Sequence, residues 1–251
     1  MKITHVSFES LRKPRPDTVE LSPGFILSLV SAGDMGPSGR YSQHRLRYLE
    51  DLAVAHDRFR MVRQVHSQTV RNWDAVPGMQ AEAGSCNAEV PEADGILFDR
   101  RSCWAGVTVA DCMPVLVEHP DSGISALLHS GWKGTGIVTA AVQSICTHTG
   151  TRPGQLRAVL GPAISVQAYA VPRERAVAFG ETFGAHSSCE RDGEWFIDLE
   201  AANITLLEDL GVSHARVVSS CTYHNPLLAS YRRDGSTGFL RMLAAAGPFQ
   251  R

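Results

Sequence analysis

The sequence predicts a mixed-sheet α/β fold, and three observations carry that reading. Strand-like apolar runs and helix-period segments follow one another without strict alternation. No G-x-G-x-x-G follows a strand and no P-loop pattern occurs, so neither a Rossmann domain nor a P-loop domain is expected. The 251 residues are 43% apolar and 20% charged, enough for a sizeable core, and no repeat or clean linker divides them. One domain spanning residues 1–251 is therefore expected.

Taken along the chain, the strand-like runs are GFILSLV (24–30), RMVRQV (60–65), WAGVTVA (104–110), PVLVE (114–118), ISALLH (124–129), RAVLG (157–161) and HARVVSS (214–220). Helical period is clearest in four places. Arg40 to His56 sets Leu46, Leu49, Leu52 and Ala53 on one face, and Thr135 to His148 sets Val138, Ala141, Val142 and Ile145 before Gly150. Pro172 to Phe183 opens on proline, a good first helical residue. Asp198 to Leu210 opens on an aspartate cap and stops at Gly211. Met35 to Gly39 and Pro77 to Glu92 read as loops.

Charge and cysteine usage narrow the function class. Acidic residues number 26 and basic ones 24, a net charge of −2, without the basic excess of a nucleic-acid binder. No apolar run approaches the roughly 20 residues of a membrane helix, and MKITHVSFES lacks the apolar core of a signal peptide. Six cysteines are too sparse for a disulfide scaffold at this length. A cytoplasmic protein with reduced thiols, without nucleic-acid or membrane partners, is the expectation. Cys103, Cys146 and Cys189 read as structural.

The chemistry concentrates in TVADCMPVLVEHPDSGISALLHSGWKGTG. His119 to Ser122 fits a turn, so PVLVE and ISALLH pair as a hairpin. Pairing Glu118 with Ile124 puts Met113 opposite His129, with Cys112 one step away. The glycine-rich turn Ser130 to Gly136 then leads into a helix and exposes N–H groups to an anion, with Lys133 adding charge. His66 ends the run RMVRQV; with Cys112 and His129 it makes a two-histidine, one-cysteine set, the ligand count of a catalytic zinc site. Spacing alone leaves ordinary packing open for all three. In the tail, Tyr231, Arg232, Arg233 and Asp234 form a polar cluster, either an anion clamp or a solvated turn. Extended, its two arginines would point apart, so one faces a pocket.

These residues resemble the YfiH, or laccase-domain, family, also known as purine nucleoside phosphorylase of the YfiH type. The matching pieces are QVH (64–66), ADG (93–95), TVADCMPVLV around Cys112, and HSGWKGT (129–135). GPAIS with Tyr169 and Val171, DLEAAN, CTY at Cys221 and SYRRDGSTG complete the series, which covers about residues 60–243 and leaves a divergent segment 1–59. The resemblance implies an α/β/β/α sandwich similar to the catalytic domain of cytotoxic necrotising factors. It implies a metal, usually zinc rather than copper, on His66, Cys112 and His129, which also serve catalysis. It implies phosphorolysis of purine nucleosides (adenosine, and by extension inosine, guanosine or methylthioadenosine) to base and ribose 1-phosphate, with adenosine deamination and editing of peptidoglycan precursors as associated activities. Arg45, Gln64, Lys133, Gly134, Thr135, Tyr231 and Arg232 become candidates for holding nucleoside and phosphate, in a monomer.

The chain departs from the family pattern in places. The amino-terminal T-R-x-G-G-V-S is not recognisable, His44-Arg45 stands for Asn-Arg, and Lys133 replaces an arginine and its bidentate fork. A metal-free Cys112–His129 hydrolase acting on peptidoglycan precursors or other amides is the alternative. A multicopper oxidase is disfavoured, because none of the ten histidines forms H-x-H. A non-enzymatic nucleoside binder is the remaining class.

Overall fold

The computed structural model describes residues 1–36, 43–76, 78 and 90–248. In chain order the elements are β1 (Lys2–Ser7), β2 (Thr18–Ser22), β3 (Phe25–Ser28), α1 (Gln43–Asp51), β4 (Phe59–Met61), β5 (Val70–Asn72), β6 (Gly95–Asp99), β7 (Trp104–Val109), β8 (Met113–Glu118) and β9 (Ile124–Ser130). They continue with α2 (Ile137–Thr149), β10 (Arg157–Leu160), β11 (Ala170–Val171), α3 (Arg173–Phe183), β12 (Ser188–Arg191), β13 (Glu194–Ile197), α4 (Leu199–Asp209), β14 (His214–Ser219), α5 (Tyr231–Gly238) and β15 (Met242–Ala246).

Two mixed sheets carry the molecule. The larger has the order β1-β14-β10-β8-β9-β6-β5, the smaller β2-β3-β15-β7-β4, and β11-β13-β12 forms a side ribbon. Period-2 alternation sends successive side chains into different cores. On β8, Met113, Val115 and Val117 join a cluster with Val138, Ala141 and Val142 of α2 and Ala202 of α4. Leu116 faces the other way, into a cluster with Leu27 of β3, Val107 of β7 and Ala244 of β15. On β15, Leu243 and Ala245 point out of that middle layer onto Tyr48 and Leu49 of α1. The order of layers is therefore helices, seven-stranded sheet, five-stranded sheet, helix: the mixed-sheet α/β class expected from sequence. No described helix is long and apolar enough to cross a membrane.

Local chemistry explains most element ends. Gly150, at φ 69°, closes α2 in a left-handed cap, and the Asp198 carboxylate accepts from Ala201 N at 2.9 Å to start α4. Pro172 precedes the first residue of α3 and is not itself helical. Several expectations change. Helix α1 ends at Asp51, because Ala53 turns left-handed at φ 55°, so Leu52 and Ala53 lie beyond it. Residues 40–42 of the expected helix, and most of the loops expected at 35–39 and 77–92, lie outside the described residues. Of RMVRQV only the first two residues are strand. The run MLAAA, poor in β-branched residues, forms the central strand β15, held between β3 and β7. The tail Tyr231–Gly238 is helical with a break at Gly235, capped by Ser230, so it is neither extended nor a turn. The five described cysteines, Cys103, Cys112, Cys146, Cys189 and Cys221, are free thiols.

The hairpin register is offset by one residue from the expected count. His119 N donates to Ile124 O, Glu118 pairs with Ser125, and Pro114, not Met113, lies opposite His129. The offset decides the site. A one-residue slip exchanges the faces of a strand, and the observed register puts Cys112, two residues before Pro114, on the face of His129.

Candidate metal centre

Three connections converge at one end of the two sheets. Leaving β7, the chain passes from the smaller sheet to the larger through Ala110, Asp111 and Cys112, and Asp111 makes the bend at φ 80°. His129 sits near the end of β9, and His66 lies in the irregular segment after β4. One nitrogen from each histidine and the Cys112 Sγ lie within 4.8 Å of one another. Among the described residues no other group of three or more His, Cys, Asp or Glu side chains is so gathered. His66 is exposed, Cys112 half-buried and His129 buried, so the centre opens to solvent on the His66 side.

Asp94 organises this centre. Its carboxylate is fully buried and accepts five hydrogen bonds. Oδ1 accepts from His66 N at 3.0 Å and from His129 Nδ1 at 2.9 Å. Oδ2 accepts from Val65 N at 3.2 Å, Ser67 N at 2.6 Å and Ser67 Oγ at 2.9 Å. Three consecutive N–H groups converge on one anion because His66 adopts φ 60°, which folds the backbone into a nest. The strained conformation and the carboxylate thus support each other, and both place the imidazole. With Nδ1 bound to Asp94, the His129 ring presents its other nitrogen to Cys112.

Electrostatics follow from this arrangement. Burial alone would push the Cys112 thiol up, but the charge on His129 and hydrogen bonds from both histidines outweigh it and bring the thiol down to about 6. Burial would likewise lower His129; the Cys112 thiolate and the Asp94 bond raise it to about 10. Asp94 resists the upward push of burial through His129 and Ser67 and is held at about 2. Without metal, both shifts favour a thiolate beside an imidazolium, backed by a carboxylate. Cys103 shows the contrast: burial raises its thiol to about 11.

The glycines around the centre make room for it. A Cβ on Gly131 would stand 2.7 Å from Cys112 Sγ, and one on Gly134 would stand 2.8 Å from the Ser67 carbonyl oxygen. The turn after β9 therefore presses directly against the thiol and the His66 segment. Its own N–H groups are partly consumed, because Gly134 N donates to Gly131 O at 2.9 Å.

The structure distributes the other candidate residues unevenly. Lys133 is exposed, with its Nζ 5.4 Å from the centre of the Trp132 ring. Arg232 is exposed and lies over the Tyr169 ring at 5.5 Å, while its backbone N donates to Asp111 Oδ2 at 2.7 Å. Arg233 instead donates to the carbonyls of Thr222 and Leu228, each at 2.9 Å, and so braces the loop before α5. Tyr231 is 50% exposed and meets Phe239 edge-on. Three further candidates for substrate contact hold hydrogen bonds within the protein. Gln64 spends its amide on Thr108, donating to its carbonyl at 2.9 Å and accepting from its N at 2.8 Å, and thereby ties the His66 segment to β7. Thr135 is buried with its hydroxyl on Gly131 O at 2.9 Å. Arg45 is buried in α1 and donates to Met35 O at 3.1 Å.

Sequence reasoning passed over Asp94 and Asp111 as functional residues. Asp111 is a lone carboxylate in an apolar run and Asp94 stands at the head of another, GILF, and a carboxylate must find donors when buried. That was the available signal. Asp111 Oδ1 accepts from Thr222 Oγ1 at 2.6 Å, so the carboxylate next to Cys112 anchors both the Thr222 segment and the start of α5. Tyr169 also stands by the centre. Burial raises its phenol, the Cys112 charge adds to that, and Arg232 and Arg175 oppose it.

Comparison with known proteins places this geometry. The family model described as "Multi-copper polyphenol oxidoreductase laccase" matches residues 35–247. The chain belongs to that family. The chain is 32% identical over 208 residues to a "Purine nucleoside phosphorylase" of Deinococcus radiodurans, covering 82% of this chain and 76% of the relative. It is 33% identical over 217 residues to "Purine nucleoside phosphorylase YlmD" of Geobacillus stearothermophilus, covering 81% and 77%. The crystal structure of that YlmD superposes with a TM-score of 0.82 at 25% identity, over 96% of this chain and 99% of the other. YfiH of Bacillus licheniformis shares the fold, with a TM-score of 0.80 at 22% identity, over 96% of this chain and 99% of the other.

Proposed function

We propose that this family member is a zinc-dependent purine nucleoside phosphorylase, organised as one YfiH-like domain over residues 1–251. The observation that carries the reading is the convergence of His66, Cys112 and His129 within 4.8 Å, with His129 oriented by a buried carboxylate. The relatives named purine nucleoside phosphorylase agree with it. The donor set fits a metal: a thiol already drawn down to about 6, a histidine whose second nitrogen is held by Asp94, and an exposed third ligand that leaves one side open. Two imidazoles and a thiolate suit zinc, and the single gathered group among the described residues favours one ion over a copper cluster.

When bound, zinc would supply Lewis-acid polarisation of the substrate, and a bound water for adenosine deamination as a second activity. The chain's own residues supply the rest. Lys133 and Arg232 attract the phosphate dianion to the open side, where an oxygen attacks the sugar C1′. The C1′–O bond forms as the C1′–N9 bond breaks, and the electron pair leaves with the purine, which takes up a proton. Asp94 keeps His129 in one tautomer throughout, and Asp111 holds the start of α5, with Arg232, beside Cys112. Nucleoside and phosphate are the proposed partners of a cytoplasmic monomer.

The test is product chromatography of adenosine, inosine, guanosine and methylthioadenosine incubated with purified protein, with and without phosphate. Phosphate-dependent release of base and ribose 1-phosphate is expected; release that ignores phosphate refutes phosphorolysis. Elemental analysis should find one zinc per chain, and copper would overturn the assignment.

One observation favours a second reading. Cys112, His129 and Asp94 form a thiolate–imidazolium–carboxylate series, the arrangement of a cysteine nucleophile. In that reading the Cys112 thiolate attacks the carbonyl carbon of an amide, such as one in a peptidoglycan precursor, without metal. The C–N bond breaks as His129 gives its proton to the leaving amine, and water then releases the acyl group from the thioester. Full activity after exhaustive chelation would select it.

A further inference from the structure

Two cations gather on Trp132, next to the turn that meets Cys112, and neither forms an ion pair with a carboxylate among the described residues. Arg175 of α3 is half-buried, with its guanidinium 4.2 Å from the centre of the Trp132 ring. Lys133 Nζ approaches the same ring at 5.4 Å. Trp132 directly follows Gly131, the residue that abuts Cys112 Sγ. Trp132 thus brings Arg175 and Lys133 to the turn that abuts the thiol. None of the ion pairs among the described residues engages Arg175, Lys133 or Arg232.

Stacking occupies the face of a guanidinium and leaves its in-plane N–H groups to donate. It also restricts the side chain, so less freedom is lost when an anion binds. Lys133 alone is a point charge on a flexible stem; Arg175 supplies the fork that matches two oxygens of one phosphate.

We propose that Arg175, held by the Trp132 ring and acting with Lys133, receives inorganic phosphate beside the His66–Cys112–His129 centre and sets the enzyme's affinity for that co-substrate. The inference rests on the phosphorylase reading for its consequence in turnover, but phosphate binding is measurable without turnover.

The experiment compares wild type with Arg175→Ala, Arg175→Lys and Trp132→Leu, each verified as folded by circular dichroism. Arg175→Ala should raise the KM for phosphate about 10- to 100-fold, the loss expected for charge-assisted hydrogen bonds, with kcat and the nucleoside KM within about 3-fold. Arg175→Lys should recover part of the loss, since charge returns without the fork. Trp132→Leu should raise the phosphate KM about 3-fold or more by freeing the arginine. Calorimetric titration with inorganic phosphate in the absence of nucleoside should show the same ranking. Unchanged phosphate KM and Kd in Arg175→Ala overturn the proposal while leaving phosphorolysis standing. Phosphate binding that is lost in Arg175→Ala, in a protein that cleaves no nucleoside, upholds the anion site and defeats the phosphorylase reading. A parallel titration with adenosine 5′-monophosphate separates the sources of phosphate: loss of nucleotide binding with inorganic phosphate untouched also overturns the proposal.

Discussion

Replacing Asp94 by asparagine changes one atom and should disable the centre. The carboxylate accepts from four consecutive-segment donors, Val65 N, His66 N, Ser67 N and Ser67 Oγ, and from His129 Nδ1. An asparagine has one acceptor oxygen, and its NH2 must face one of the two donor sets. Facing His66 N and His129 Nδ1, it orphans that N–H and takes away the acceptor that holds the imidazole by Nδ1. Facing Val65 N and Ser67 N, it orphans both. Each buried orphan costs about 1–3 kcal/mol. The charge adds to this: the carboxyl is held at about 2 against an ordinary 3.8, a difference on the order of 2 kcal/mol. A total of at least about 3 kcal/mol is expected, which lowers Tm by about 6–12 °C in a chain of this size. Metal affinity should fall about 10- to 100-fold, because a ligand's orienting partner is lost. Because the folded-state carboxyl is depressed, its contribution is present above pH 3.8 and lost as pH falls towards 2. The metal-free wild type should show that acid limb, and the variant should lack it. Thermal unfolding and a chelator competition measure the effects. A variant within about 2 °C of wild type, with unchanged metal affinity, would refute the nest as the organiser of the site.

Three further outcomes are expected. Cys112→Ala should lose bound metal and turnover while keeping its circular dichroism spectrum; retained activity would end both mechanistic readings. Gly131→Ala places a Cβ 2.7 Å from Cys112 Sγ and should cost about 1–3 kcal/mol, with metal content falling alongside Tm. If the metal is kept in full, the thiol has room to move and the close approach carries no consequence. Cys103, buried and raised to about 11 from 9, should contribute stability below pH 9 that disappears as pH climbs through 11. Denaturant titrations should show that alkaline decline shrinking in Cys103→Ala, and an unchanged decline would assign it to other groups.

Local signals wrote much of the fold into the chain. The apolar stripe Val138, Ala141, Val142 and Ile145 with Gly150 behind it made α2 legible, and Asp198 with Gly211 bracketed α4. The turn at His119 to Gly123 announced the β8–β9 hairpin, and the hairpin brought Cys112 and His129 to one neighbourhood. These features depend on residues near one another in sequence, whose geometry a few torsion angles determine.

What tertiary structure decided depends on distant partners. Lys2–Ser7 becomes strand because β14 supplies its hydrogen bonds, and the alanines of β15 become strand because β3 and β7 flank them. The face on which Cys112 lies turned on one residue of register, which no local count resolves. Gln64 meets Thr108, Asp94 meets Val65 to Ser67 and His129, and Asp111 meets Thr222 and Arg232 across separations from 27 to 121 residues. A side chain's residue type states what it can donate or accept. Only the closed chain determines which of many competing partners is near enough to satisfy it, because a buried polar group takes whatever donor the packing delivers.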